Sequence, residues 1–390
     1  MGNLTFLSTA LEEIKGRDLY RRLRLIHGAQ SARVQIEGKE VVLISSNNYL
    51  GLAEHPALKE AAIQALEHYG CGAGASRSIS GTMELHKELE ERMARFKGCE
   101  AALLFSNGYM ANLGLLTTLV GEEDLILSDK LNHASIVDGC RLSKAEVWVY
   151  RHRDMDHLET LLKMSSHRRR LIVIDGVFSM EGDITPLPQI RELANRYGAM
   201  VMVDDAHAMG VLGKGGRGTA EHFGLMGQVE IQMGTLGKAL GGFGAYVSGS
   251  RVLIDYLINR CRTFMYTTAL PPAIAAMALA ALEIVEAEPQ RRERLWENTH
   301  YFTNGLKEMG FDTLGSETPI VPILIGDNAL TMEADRRLIE RGIFAQGIRP
   351  PTVPSQSSRL RASLMATHTR EDLDLALDSF QEVGKELGLI

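Results

Sequence analysis

Cysteine is scarce in this chain. Cys71, Cys99, Cys140 and Cys261 are the only four in 390 residues, and no two form a CxxC pair. Such spacing excludes a disulfide framework and a thiolate zinc site, and it suits a reducing cytoplasm. Runs of one charge are also missing. The net charge of −7 is spread along the chain with no basic stripe, so no nucleic-acid partner is expected. The longest apolar stretch, ALPPAIAAMALAALEIV, contains Pro271 and Pro272 and runs into acids, which argues against a transmembrane span and a membrane partner. The N-terminal MGNLTFLSTALEEIKGRDLYRRLR has no secretory apolar core. Phe6 stands where an N-myristoylation motif requires Ser or Thr. There are no internal repeats and no low-complexity linkers.

What the chain has in quantity is glycine, 38 residues, and a hydrophobic content of 45 %, ordinary for a globular protein with many tight turns. The length suggests two or three domains. Residues 1–27 read as an amphipathic helix and VQIEGKEVVLI as a short hairpin. Helices are expected over 55–69, with Leu58, Ala62 and Leu66 on one face, and over 82–97, with Leu85, Leu89, Met93 and Phe96 on one face. Seven apolar strands follow, at 101–105, 124–129, 147–152, 170–176, 200–206, 229–235 and 244–250, most of them separated by helical segments. This alternation predicts an α/β fold, a mostly parallel seven-stranded sheet covered on both faces. After a long helix over 271–288 the pattern changes to a smaller α+β region read as helix, strand (PIVPILIG), helix, strand (IFAQGI), strand (RLRASLMA) and helix. The expected organisation is an N-terminal helix and hairpin over 1–50, a large α/β domain over 51–288 and a small C-terminal domain over 289–390.

Two phosphate-binding motifs fail on context. GCGAGA at Gly70–Ala75 matches a dinucleotide fingerprint by letter, but a helix precedes it where a strand is required. Around Lys238, a P-loop would need Gly at 232 and Ser or Thr at 239; the chain has Gln232 and Ala239. Other residues gather just past predicted strands. SNGYMANLG, with Gly108 and Tyr109, opens a helix whose first N–H groups suit a phosphate. His133 follows the strand DLILSD, and Ser179 follows RLIVIDG. Asp204, Asp205 and His207 end the strand MVMVDDA, with no further metal ligand at useful spacing. Lys238 follows VEIQMGT in a glycine-rich turn. Each feature alone is compatible with an ordinary turn. In a parallel sheet, however, these strand ends converge at one edge. Together they supply a phosphate cradle, a ring lid, an acid for a ring nitrogen and an amine for a Schiff base, as a pyridoxal 5′-phosphate site requires.

The motifs SSNNYLGL, FSNGYMAN, LNHASI, DGVFSMEGD, VDDAHAMGVLG, GTLGKALGG, YTTALPP and RLRASLMATHT run nearly end to end. As a set they resemble the α-oxoamine synthases, a branch of the fold-type I pyridoxal phosphate enzymes. The resemblance implies decarboxylative condensation of an amino acid with an acyl thioester. It implies Lys238 as the Schiff-base lysine, Asp204 at the pyridinium nitrogen, His207 at the phenolic oxygen and His133 stacked over the ring and assisting catalysis. It further implies Ser179 and Thr235 at the cofactor, and Gly108 and Tyr109 near its phosphate. Arg361 and Asn47 would hold the amino-acid carboxylate, with Arg21 and Thr352 facing substrate. A homodimer with shared sites is implied too, Thr267 or Thr268 reaching the partner's phosphate. GIRPPTVP is similar to members that join L-alanine to a pimeloyl thioester of CoA or acyl-carrier protein. LNHASIVDGCRLSKAE, GTLGKALGG and GKELGLI are closer to members that use glycine and acetyl-CoA. GIRPPTVP is weighted more, because acyl choice is expected in the small domain. A non-catalytic subunit of this fold would be expected to lack the lysine; Lys238, Asp204, His133 and Arg361 are all present.

Overall fold

The computed structural model describes residues 4–390. They form two compact units, one of residues 48–179 and 183–293, the other of residues up to Asn47, 180–182 and 294–390. In chain order the strands are β1 (Ile26–His27), β2 (Arg33–Ile36), β3 (Lys39–Leu43), β4 (Ala101–Phe105), β5 (Leu125–Asp129), β6 (Glu146–Tyr150), β7 (Arg170–Asp175), β8 (Met200–Asp204), β9 (Ile231–Thr235), β10 (Ala245–Gly249), β11 (Ile320–Gly326), β12 (Ile343–Phe344), β13 (Gln346–Ile348) and β14 (Ser358–Ser363).

The larger unit carries a seven-stranded sheet in the order β4-β10-β9-β8-β7-β5-β6. Pairings from β9 through β6 are parallel, and β10 lies antiparallel between β9 and β4. The sequence dictates this burial: β4, β5 and β10 have no exposed position, as strands covered on both faces require. Alternation then sorts the side chains. Leu171 and Val173 of β7 pack with Ile126, Met202 and Met233 against Leu115, Leu116 and Ile136 on one face. Ile172 and Ile174 pack with Leu127 and Val203 against Leu158, Leu162 and Ile190 on the other. Each such buried side chain contributes roughly 1.5–3 kcal/mol. The parallel strands, and β4 beyond β10, all point one way. Their C-terminal ends therefore lie along a single edge.

The smaller unit holds two sheets, β1-β2-β3-β12 and β11-β14-β13. Two expectations are corrected here. The helix expected over 1–27 spans only Thr5–Gly16 and buries no residue; its expected residues 1–3 lie outside the described residues. Asp18 takes a positive φ of 55°, which breaks the helical path, and Ile26 and His27 are strand. The segment IFAQGI, expected as one strand, is two in different sheets. Phe344 accepts from the Ile44 amide at 3.1 Å, while the Gln346 amide donates to Ser45 Oγ at 2.7 Å. The chain changes sheet at Ala345. No helix among the described residues is long and apolar enough to cross a membrane.

Leu127 is fully buried in the middle of β5, where rigid neighbouring strands leave little freedom to close a cavity. Leu127→Ala is expected to destabilise the protein by about 2–5 kcal/mol, read as a lowered midpoint of urea unfolding.

Candidate active site

Lys238 stands three residues beyond β9, in a turn closed by its own backbone. The Leu236 amide donates to Gly244 O at 2.9 Å, and the Gly241 amide to Lys238 O at 2.9 Å. Gly241 holds φ at 66°, and a Cβ there would sit 2.5 Å from the Ala53 amide nitrogen; only glycine closes this turn. Lys238 is half-buried.

Asp204 ends β8 and Asp205 follows it; both are buried. Asp204 Oδ2 accepts from Asn112 Nδ2 at 2.7 Å, and its Oδ1 accepts from the Ala206 amide at 2.9 Å. Burial raises its proton affinity above the ordinary carboxylate range, and Lys238, Asn112 and the Ala206 amide oppose that rise without cancelling it. Asp205 faces a different set of partners. Lys97 Nζ donates to Asp205 Oδ2 at 2.8 Å with both groups out of solvent. Thr219 Oγ1 donates to Asp205 Oδ1 at 2.6 Å. Two residues on, His207 Nδ1 lies 2.7 Å from Tyr49 Oη. Thr235 ends β9 and donates to Ala206 O at 3.4 Å.

His133 caps the helix Ala134–Leu142. Its Nδ1 accepts from the Ser135 amide at 3.3 Å and lies 2.8 Å from Ser135 Oγ. Its own amide donates to Asp175 Oδ2 at 2.7 Å. The residue as a whole is exposed, yet desolvation of the imidazole lowers its proton affinity; Asp204 opposes this and Lys238 adds to it. Asp175 neighbours Asp204 across the β7–β8 ladder. Burial first, then Asp204, pushes the Asp175 carboxyl well above its ordinary range. Of the two acids Asp204 has more donors, so Asp175 is the one that keeps its proton.

Asn107 Oδ1 caps the helix Gly108–Leu119 by accepting from Met110 N at 3.0 Å. The amides of Gly108 and Tyr109 precede the first intrahelical bond, where anions bind. A Cβ at Gly108 would lie 2.7 Å from Thr235 Cγ2, so glycine lets this helix start approach the end of β9. The Tyr109 hydroxyl donates to the Asp138 carboxylate. Ser179 lies in the turn after β7, which the Phe178 amide closes onto Asp183 O at 3.1 Å. Thr267 and Thr268 line a small cleft with Arg77 and Ser106, and Thr268 bridges to Ser76.

In the smaller unit Arg361 Nη1 and Nη2 each donate to Asn47 Oδ1 at 3.2 Å, and Nη1 also donates to Ser363 Oγ at 2.8 Å. Arg359, two residues earlier on β14, is instead tied to Glu181 at 3.1 Å. Arg21 Nη2 donates to Thr352 Oγ1 at 3.2 Å. Both line an open cleft of about 950 Å³ with Arg22, Arg349 and Tyr20.

The structure thus gathers Gly108, His133, Ser179, Asp204, His207, Thr235 and Lys238 along the sheet edge of one unit. It pairs Asn47 with Arg361, and Arg21 with Thr352, in the other. Sequence reasoning missed Tyr49, Lys97, Asn112, Ser135 and Asp175. Asn112 lies inside the quoted FSNGYMAN, Ser135 inside LNHASI and Asp175 at the head of DGVFSMEGD, so the motifs held the signal. Nothing local marks Lys97, the last residue of a surface-patterned helix. Among the described residues no group of three metal-ligating side chains exists.

The chain belongs to the family described as aminotransferase class I and II, which it matches over residues 39–380. Across 385 residues it is 55 % identical to 8-amino-7-oxononanoate synthase of Geobacter sulfurreducens, covering 97 % of this chain and 98 % of that one. Among solved structures it is similar to a serine palmitoyltransferase from S. paucimobilis with a bound PLP–myriocin aldimine. There the TM-score is 0.94 at 33 % identity, over 99 % of this chain and 98 % of that one. It is also similar to 8-amino-7-oxononanoate synthase from Francisella tularensis, with a TM-score of 0.78 at 31 % identity, over 90 % and 99 % of the two chains.

One clamp beside the site titrates. His152 Nδ1 lies 2.9 Å from Asp129 Oδ1 and its Nε2 lies 2.8 Å from Asp183 Oδ2. It joins the turn leading to His133 with the turn after Ser179. Burial opposes the charge, but the bonds to the two carboxylates outweigh it and raise the imidazole to about 9. A raised value means the bound proton favours the folded state. The stabilisation is therefore complete below the ordinary histidine value of about 6.5 and fades as pH rises through about 9. The melting-temperature difference between wild type and His152→Gln is expected to be largest at pH 6 and to shrink by pH 10.

Proposed function

We propose that this chain is a pyridoxal 5′-phosphate-dependent acyltransferase. It condenses L-alanine with a pimeloyl thioester of CoA or acyl-carrier protein, releasing CO2 and the free thiol carrier and forming 8-amino-7-oxononanoate for biotin synthesis. The observation that carries this reading is the full-length 55 % identity to the Geobacter sulfurreducens synthase, well above the 33 % to serine palmitoyltransferase.

The residues present fit the cofactor. A buried carboxylate, Asp204, suits a protonated ring nitrogen. The Gly108–Tyr109 amides, which a Cβ at position 108 would crowd against Thr235, suit a phosphate. Lys238 is the amine at the same sheet edge. Bound there, the cofactor supplies an aldehyde for amine capture and an electron-poor ring that stabilises carbanions. Lys238 Nζ would hold the cofactor through its aldehyde and, once freed, would take and return the amino acid's α-proton. Asp204 keeps the ring nitrogen protonated. His207 would contact the ring's phenolic oxygen, Ser179 and Thr235 would help bind the cofactor, and His133 would cover the ring. Arg361, steadied by Asn47, pairs with the amino-acid carboxylate. Arg21 and Thr352 face the acyl substrate. The cleft they line carries more Lys and Arg than Asp and Glu, which suits an acyl chain ending in a carboxylate and would be idle against an acetyl group. The working form is a cytoplasmic homodimer, with Thr267 or Thr268 at the partner's phosphate.

The test is release of the thiol carrier by cofactor-loaded protein, crossing L-alanine and glycine with pimeloyl-CoA and acetyl-CoA. Release confined to alanine and pimeloyl-CoA is expected. Preference for glycine with acetyl-CoA would replace this reading with the acetyltransferase. Lys238→Ala should abolish turnover without unfolding the chain. Arg361→Ala should raise the KM for alanine by about 10-fold or more, roughly the loss of one charged hydrogen bond, with the cofactor's visible band retained.

A further inference from the structure

The hydrogen bonds beneath His133 form a chain whose direction can be worked out atom by atom. An amide NH2 group only donates. Asn112 Nδ2 lies 2.7 Å from Asp204 Oδ2 and 2.9 Å from Ser135 Oγ, so its two hydrogens go one to each oxygen. Ser135 Oγ is therefore an acceptor from Asn112. Ser135 is almost fully buried, and the other side-chain atom bonded to its hydroxyl is His133 Nδ1 at 2.8 Å. The hydroxyl hydrogen goes to that nitrogen. A second constraint agrees. Nδ1 also accepts the Ser135 amide as the cap of the helix Ala134–Leu142, a role that a protonated Nδ1 could not fill.

We infer that Asn112 and Ser135 are positioning residues that fix His133 as the neutral tautomer with its proton on Nε2. In that form the ring edge away from Ser135 offers a hydrogen-bond donor and no acceptor. His133 then serves the reaction as a neutral donor to an oxygen that gains negative charge, such as the thioester carbonyl, and not as a base. The same Asn112 amide steadies Asp204, so one side chain orients both the ring-nitrogen acid and the histidine. The charged groups acting on His133 from neighbouring elements are Asp204 and Lys238, with Asp175 on its backbone. The donor role rests on the reading of the site given above; the tautomer does not, and it is measured without substrate.

The measurement is long-range 1H–15N correlation on histidine-labelled full-length protein, before and after incubation with pyridoxal 5′-phosphate, with the His133 signal assigned by its loss in His133→Gln. Wild type is expected to show Nε2 protonated and Nδ1 bare in more than about nine-tenths of molecules. A proton on Nδ1 would overturn the inference without any variant. In Ser135→Ala the hydroxyl donor is gone, and the Nδ1-protonated form should rise to at least about a third. In Asn112→Ala the Ser135 hydroxyl is free to turn, and a mixture is again expected. Wild-type tautomer populations in both variants would overturn the relay, even if turnover fell. Cofactor loading, followed by its visible absorbance, reports separately on the site reading. A wild type that shows the expected tautomer yet never binds the cofactor would sink the site assignment and leave the tautomer standing.

Discussion

Two consecutive carboxylates stand at the end of β8, Asp204 its last residue and Asp205 the next, and both are buried. Isolated charges there would cost several kcal/mol each, so each needs its own partners. Asp205 receives Lys97 and Thr219. Lys97 is an ammonium brought in on the last residue of the helix Glu84–Lys97, and it also donates to Arg217 O. Asp204 receives a side-chain amide and a backbone N–H instead. The separation matches one acid with a buried ammonium and leaves the other held by neutral donors. It also ties three segments together, because Thr219 and Arg217 belong to the loop after His207.

The site depends on sheet geometry as much as on charge. Parallel strands deliver their C-terminal ends to one edge. The antiparallel β10 interrupts the sheet but restores the direction of β4, which is why the helix start at Gly108 meets the end of β9 at Thr235. Each crossover contributes one or two polar residues there. Between them the apolar packing on both faces holds those ends rigid. The polar groups just under the edge satisfy each other in pairs: Asn132 Oδ1 accepts the Asp175 amide at 3.0 Å, and its Nδ2 donates to Val173 O at 2.8 Å.

Much of this was legible in the sequence. The seven apolar strands lie within about two residues of their expected bounds, because strands buried on both faces announce themselves as continuous apolar runs. Lys238, Asp204, His207 and His133 stood out as polar residues at strand ends. What was illegible depends on contacts between residues far apart in the chain. Lys97 reads as one more cation on an amphipathic helix; only the fold shows it facing Asp205. Tyr49 gains meaning from His207, 158 positions away. The sheet change at Ala345 needs Ser45 as a partner for Gln346, which no local pattern reveals. The helix expected to reach residue 27 stops at Gly16 because periodic residues do not sustain a helix without a face to bury, and this one buries none.

Once the pairs are drawn, the electrostatics of the edge become simple. Asp205 and Lys97 cancel. Burial and the neighbouring Asp204 push Asp175 toward its protonated form. Desolvation pushes His133 toward its neutral form. Asp204 is raised too, but two donors, Asn112 and the Ala206 amide, and the nearby Lys238 oppose the rise. A cofactor with a basic ring nitrogen would find in Asp204 a buried carboxylate able to hold that nitrogen's proton. A neutral His133 adds no positive charge to compete for Asp204. The neutrality of Asp175 is equally needed, since a second anion beside Asp204 would raise its proton affinity and let it keep the proton for itself. Asp204 therefore differs from the acids around it: Asp205 is matched by Lys97, Asp129 and Asp183 by His152, and Asp175 is pushed toward its protonated form, while Asp204 is held by neutral donors beside Lys238.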